Sequence, residues 1–321
     1  MRKIDMHIHL VGNAHGGHGC WLRVTPVKRL LFRFMLRQIG LPMSALLRDL
    51  DTPYVERLLQ WIRVSSLDAV VLLAQEAVYD DDGRLLRDCG NAYVPNSRVL
   101  ELARRHPEFL PAISIHPARR DAMEELEQCL AGGAVMMKYL PNCQNINCND
   151  RRFTPFWQRM AQAGLPLLAH TGGERTLQVV RPEYADPRIL RLPLECGVTC
   201  IAAHAASPST AREPNYFPVL AQMMRDHPRL YADTSALNLP HRSKVLRDCL
   251  RPEILPRLVH GSDYPVPVQT LWPWLRGVIS RGDMLRCARI ANPIERDYQL
   301  KVATGFPPET FTRINQLLRQ P

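Results

Sequence analysis

Nowhere among its 321 residues does the chain carry an unbroken apolar stretch of about 18 residues, so no membrane-spanning helix is expected. The opening "MRKIDMHIH" runs straight into strand-like sequence with no room for a cleavable leader, and a cytoplasmic location is the expectation. No C-x-x-C pair occurs among the nine cysteines, whose number is odd and which are scattered from Cys20 to Cys287. That pattern argues against a disulfide framework and against a zinc ribbon. Zinc-finger spacing and aromatic–basic RNA motifs are also missing, so nucleic acid is not expected as a partner. No glycine-rich phosphate fingerprint follows any strand-like run. Internal repeats and low-complexity linkers are absent too, which leaves 1–321 to be read as one domain.

What is present is a net charge of +10 and eight short aliphatic runs. The charge favours an anionic partner, a small-molecule substrate among them, although a merely basic surface accounts for it equally well. The runs occupy 3–8, 68–74, 110–115, 133–139, 165–170, 197–204, 229–235 and 257–262. Their length and composition suit parallel strands buried on both faces. Helix-like segments separate most of them, at 52–65, 96–107, 118–132, 153–164, 216–227 and 242–251. Asn96 and Thr154 read as helix caps, Gly132 and Gly164 as stops. Eight alternating units of this kind predict an α/β fold, a (β/α)8 TIM barrel; an open doubly wound sheet is the weaker alternative.

Two connections are long, 10–51 after strand one and 75–95 after strand two, and both would emerge at the barrel mouth. Inside the first, 27–38 reads as an amphipathic helix. Arg29, Arg33 and Arg37 fall on one stripe, beside an apolar face of Leu30, Leu31, Phe34 and Met35. Such an insert serves as a lid, as a contact between copies in a homo-oligomer, as a peripheral membrane contact, or simply as packing on the barrel.

Polar residues stand where buried strands end. His7 and His9, two apart on strand one, share a side, and by parity Asp5 lies one step deeper. Lys138 ends strand four, His170 strand five and His204 strand six, while strand eight runs into Asp263. Leaving several such groups unpaired in a confined mouth is costly, and a shared divalent metal satisfies them together.

This ordered set, with "DMHIH", "LAHTGG", "AAHA" and "GSDYP", resembles the amidohydrolase superfamily, in the amidohydrolase-related branch that includes aminocarboxymuconate-semialdehyde decarboxylase. The resemblance implies a metalloenzyme in which His7, His9, His170 and Asp263 hold one ion, by expectation zinc, and His204 is free as acid/base or clamp. In its binuclear version Lys138 is carbamylated and bridges two ions, with His7, His9 and Asp263 on one and His170 and His204 on the other. Asp263, His204 and Lys138 are then the catalytic candidates. The implied reaction is hydrolysis of an amide or lactone carbonyl through a metal-activated water. The alternative is nonoxidative decarboxylation, or hydration, of an unsaturated or aromatic acid. A further alternative is a membrane-surface protein whose metal is structural.

His15, His18, Arg175 and His241 lie in loops just past these strand ends and are candidates for substrate contact, as are His116, Glu174 and Arg242.

Overall fold

The computed structural model describes residues 1–320; Pro321, the last residue of the expected 1–321 unit, lies outside them. Eight strands form one sheet: β1 (Ile4–His9), β2 (Ala69–Leu73), β3 (Phe109–Ile113), β4 (Met136–Tyr139), β5 (Leu167–Ala169), β6 (Cys200–Ala202), β7 (Leu230–Asp233) and β8 (Leu258–Val259). Each pairs in parallel with its successor in the chain. The ring closes between its ends: Met6 N donates to His260 O at 3.0 Å, Asp263 N to His7 O at 2.9 Å and His9 N to Tyr264 O at 2.8 Å. The fold is a TIM barrel, as the eight aliphatic runs predict. Met6, Val71, Met136, Leu168, Ile201 and Val259 belong to one packed cluster in its interior, so the side chains beyond them stand on a solid floor.

The crossover helices include α1 (Arg29–Gln38), which belongs to the long insert, then α2 (Asp51–Arg63), α3 (Asn96–Arg105), α4 (Ala122–Ala131), α5 (Thr154–Gln162) and α6 (Phe217–Asp226). The expected caps are not caps. Asn96 is the first residue of α3, and its side chain accepts from Ser114 N at 2.8 Å and donates to Glu125 at 2.7 Å, tying α3 to β3 and α4. Thr154 likewise lies inside its helix and donates to Arg151 O at 2.7 Å. Gly164 does provide a left-handed stop after α5, with φ of 63°.

The insert 10–51 is anchored at its base. The buried Asp51 carboxylate accepts from Asn13 N at 2.9 Å, and Asn13 Nδ2 donates to Arg48 O at 2.8 Å. Gly12 lets the chain pass this carboxylate; a Cβ there would lie 2.4 Å from Asp51 Oδ1. Within the insert, α1 buries Phe32, Met35 and Leu36 and exposes Leu30 and Phe34. The buried face thus differs from the expected one. Apolar residues surround this helix on most sides, so periodicity alone does not select which face turns inward.

Candidate metal centre at the barrel mouth

β1 delivers His7 and His9, and the turn after β8 delivers Asp263. His7 Nε2 and His9 Nε2 are 3.2 Å apart, and Asp263 Oδ1 is 3.4 Å from the first and 3.3 Å from the second. Tetrahedral zinc with ligand bonds of about 2.05 Å has edges of about 3.3 Å, so the three atoms have the spacing of three corners around one ion. Burial, the largest influence, pushes the His7 imidazole down to about 4, which keeps it neutral. Asp263 is held well below the ordinary carboxylate range: His7 and His9 outweigh the cost of its burial. Neutral imidazoles and an ionised carboxylate are the forms that bind a divalent cation.

A fourth residue orients the first. Asp233, at the end of β7, is fully buried, and its Oδ2 lies 2.6 Å from His7 Nδ1. Its other oxygen accepts from His204 N at 2.7 Å, Ser235 N at 3.0 Å and Ser235 Oγ at 2.5 Å. These partners fix His7 as the Nδ1–H tautomer and turn its Nε2 lone pair into the mouth. Asp233 does fall in a second group of close ligand atoms, with His7 and His204, but its oxygens are already spent on these hydrogen bonds. The terminal aspartate of "RLYAD" obeys the same strand-end rule as His170 and Asp263, and that rule is the signal by which sequence reasoning had access to it.

His170 and His204 form a separate pair, with His170 Nδ1 and His204 Nε2 3.2 Å apart. His170 Nε2 faces the Gly173 carbonyl at 3.2 Å, which only accepts, so that nitrogen carries the proton. His204 Nδ1 faces Ser235 Oγ at 2.7 Å, whose hydrogen goes to Asp233, so it too is a donor. Burial holds both rings well below the ordinary histidine value. Two lone pairs therefore face each other across 3.2 Å with no proton between them, an arrangement that a cation relieves. Arg242, itself buried, donates to Gly173 O at 2.7 Å and holds the carbonyl on which His170 depends. Among the described residues His170 joins no group of three ligand atoms within 4.8 Å, so it stands with His204 and apart from His7, His9 and Asp263.

Lys138 projects from β4 and is wholly buried, with Nζ 3.1 Å from His7 Nε2. Burial pushes its ammonium down to about 8, despite the nearby Asp233 and Asp263 carboxylates. Both His204 and Asp263 adopt left-handed backbone angles, with φ of 57° and 68°. For residues with a Cβ this costs on the order of 1–2 kcal/mol each, and such strain concentrates at functional sites.

Asp5 does not take the place its parity suggested. Four residues of β1, from Asp5 to Ile8, span three of β2, from Val70 to Leu72, so the alternation resets between Asp5 and Ile8. Its Oδ1 accepts from Ser262 N at 2.9 Å and from His7 N at 3.0 Å, and Oδ2 turns toward His260 at 3.9 Å. Asp5 braces the β1–β8 seam and leaves the His7 ring to Asp233. At that seam Gly261 permits the close approach, because a Cβ would stand 2.7 Å from His7 Cβ.

Above these groups opens a cleft of about 680 Å³, lined by His9, His170, His204, Asp263 and Glu174 at the floor and by apolar side chains above. Trp21 and Leu22, paired with Ala92–Tyr93 in a small antiparallel ribbon, form one wall, and Phe32 and Met35 of α1 form the roof. Lys28 fastens this roof to the opposite rim through Thr176 O at 2.8 Å and Leu177 O at 2.9 Å. No lysine or arginine lines the cleft among the described residues. His15 and Arg175 are exposed, His18 and His241 half-buried, and none of the four lines it. His116 is also remote, bonded between Asn145 O at 3.3 Å and Ala118 N at 3.2 Å.

The fold and these side chains define a TIM barrel with a histidine–carboxylate centre at the C-terminal ends of its strands. The chain belongs to the amidohydrolase family: the family model described as Amidohydrolase (Amidohydro_2) matches residues 4–275. A TIM-barrel protein from Bordetella bronchiseptica is similar in structure, with a TM-score of 0.57 at 17% identity, covering 95% of this chain and 100% of its own. A Pseudomonas putida protein described as a 2-pyrone-4,6-dicarboxylic acid hydrolase follows, with a TM-score of 0.54 at 14% identity, covering 99% and 94%. Another described in the same terms, from Acinetobacter baumannii and solved with citric acid bound, has a TM-score of 0.53 at 13% identity, covering 97% and 100%. No curated protein sequence matches. Among the described residues no helix is long and apolar enough to cross a membrane.

Proposed function

We propose that the protein is a metal-dependent hydrolase of a carboxylic ester ring or amide. The observation that carries this reading is the spacing of His7 Nε2, His9 Nε2 and Asp263 Oδ1, at 3.2, 3.3 and 3.4 Å, beneath an open cleft. These three would hold one divalent ion, by expectation zinc. The facing lone pairs of His170 and His204 support a second, and Lys138, as its carbamate, is the candidate bridge. When bound, the metal supplies Lewis acidity to a carbonyl oxygen and makes water acidic enough to give up a proton near neutral pH.

The chain's own residues do the rest. Asp263, ionised and at the cleft floor, accepts the proton of the attacking water and returns it to the departing nitrogen or oxygen. Asp233 keeps the His7 tautomer fixed while charge changes around it. Lys138, brought down to about 8, supplies at mildly alkaline pH the neutral amine that carbon dioxide requires. The apolar walls exclude bulk water and strengthen each polar contact at the floor.

The relatives described as 2-pyrone-4,6-dicarboxylic acid hydrolases act, by that description, on a cyclic unsaturated ester. A lactone is accordingly the first substrate to try here. The want of lysine and arginine in the cleft favours a neutral lactone or amide over a dicarboxylate. The test is metal-loaded protein assayed against neutral lactones and N-acyl anilides, with product analysis. Appearance of a new carboxyl group without carbon dioxide supports the proposal. Carbon dioxide release from unsaturated acids with no lactone or amide cleavage overturns it. Labelled bicarbonate and carbon NMR read out Lys138 carbamylation independently.

A further inference from the structure

The outer side of the cleft roof has a chemistry of its own. From Met6 to Arg48 the chain contains no aspartate or glutamate, yet it carries Arg23, Lys28, Arg29, Arg33, Arg37 and Arg48, six of the basic residues behind a net charge of +10. Arg29, Arg33 and Arg37 are all exposed on α1, and none of them makes an ion pair among the described residues. Beside that arginine stripe Leu30 is 76% exposed and Phe34 53%, one turn apart on the helix; Leu47, elsewhere in the insert, is 76% exposed. Among the described residues the remaining large exposed apolar side chains lie outside this insert.

We propose that this face of the insert, the outer side of α1, docks on an anionic lipid surface. An interfacial helix needs an apolar edge that enters the acyl boundary, bordered by basic groups at the headgroups; Leu30 and Phe34 beside a stripe of three arginines meet that requirement. A second copy of the chain is a poor occupant, since a two-fold contact would set these arginines against their own counterparts with no acidic residue in the segment to offset them. Nucleic acid would use the arginines but leaves Leu30 in water.

Docking acts on the cleft because the same helix has two working faces. Phe32 and Met35 roof the cleft, while Leu30 and Phe34 look outward. A second, wholly apolar cavity of about 280 Å³ runs beneath α1 and shares Val11, Leu22, Phe32, Met35 and Pro265 with the cleft. A membrane-docked roof therefore sets the cleft's apolar side toward the bilayer. The inference does not rest on the hydrolase reading and stands or falls separately from it.

The experiment is co-sedimentation of the full chain with vesicles of phosphatidylcholine alone and of phosphatidylcholine with phosphatidylglycerol, at low and high salt. Binding to the anionic vesicles that weakens with salt is expected. An Arg29→Gln, Arg33→Gln, Arg37→Gln triple variant should lose affinity on the order of a hundredfold. A Leu30→Ser, Phe34→Ser double variant should lose at least about tenfold, with its circular dichroism melt unchanged because both side chains are exposed. No sedimentation with anionic vesicles at low salt, equal binding by both variants, a concentration-dependent dimer lost in the double variant, or binding to single-stranded RNA but not to vesicles would each overturn the proposal.

Discussion

The floor and the roof of the cleft are built on opposite principles. The floor is made of single side chains at the ends of β1, β4, β5, β6 and β7 and just past β8, nearly all buried, each held by a second residue. The roof is made of one inserted segment with few buried polar contacts and a basic, partly apolar exterior. Rigid strand ends place donor atoms within a few tenths of an ångström, as a metal centre requires. A long loop tolerates change, and it is where substrate selection and surface contacts reside. Damage to the floor should therefore abolish chemistry, and damage to the roof should only shift affinity.

The largest effect is expected from Asp263→Asn, which removes both the proposed anionic ligand and the proposed proton acceptor. Activity should fall by more than about a thousandfold with the fold intact, measured as kcat/KM on metal-loaded protein beside a thermal melt. Asp233→Asn leaves all three ligand atoms in place but loosens the His7 ring. Its divalent-metal affinity should drop by about 10- to 100-fold in a chelator competition. If Asp233→Asn bound metal as tightly as wild type, Asp233 would not brace the His7 ring for the metal.

Stability should depend on pH through His116. His116 is buried and pushed down to about 4, from an ordinary value of 6.5 in the unfolded chain. Between these values the unfolded chain binds the extra proton, so stability is full above pH 6.5 and falls as pH drops toward 4. At pH 5 the loss from this residue is about 2 kcal/mol. Urea unfolding of wild type and His116→Asn at pH 7.5 and pH 5 isolates it, because the opposing contributions of buried Asp5 and Asp297, both raised, cancel in the difference. An identical pH slope in the two proteins would refute the assignment.

The smallest effect belongs to the wall and roof. Leu22→Ala removes an apolar liner and no polar contact. For a neutral lactone, KM should rise about fivefold at unchanged kcat. A kcat loss matching that of Asp263→Asn would erase the distinction between the two regions.

The same contrast explains what the sequence made legible. The eight aliphatic runs fall on the eight observed strands, because a strand buried on both faces leaves an unbroken apolar signature. His7, His9, His170, His204 and Asp263 were visible because ionisable groups at the ends of such runs are hard to account for otherwise. Asp5 was misplaced because a one-residue irregularity in β1 leaves no mark in composition. Asp233 was legible by the strand-end rule but not by residue type, since one aspartate after "LYA" resembles an ordinary turn. The inward face of α1 was not legible, because Leu30, Leu31, Phe32, Phe34, Met35 and Leu36 leave the choice to tertiary packing.

The proposed chemistry depends most on one cation shared by two strand-one histidines and the carboxylate after β8. Anomalous scattering at the zinc edge, from crystals of zinc-loaded protein, measures this directly. The prediction is a peak within bonding distance of His7 Nε2, His9 Nε2 and the Asp263 carboxylate. Fully loaded crystals with no peak among these three atoms, or with zinc bound only elsewhere, would contradict it.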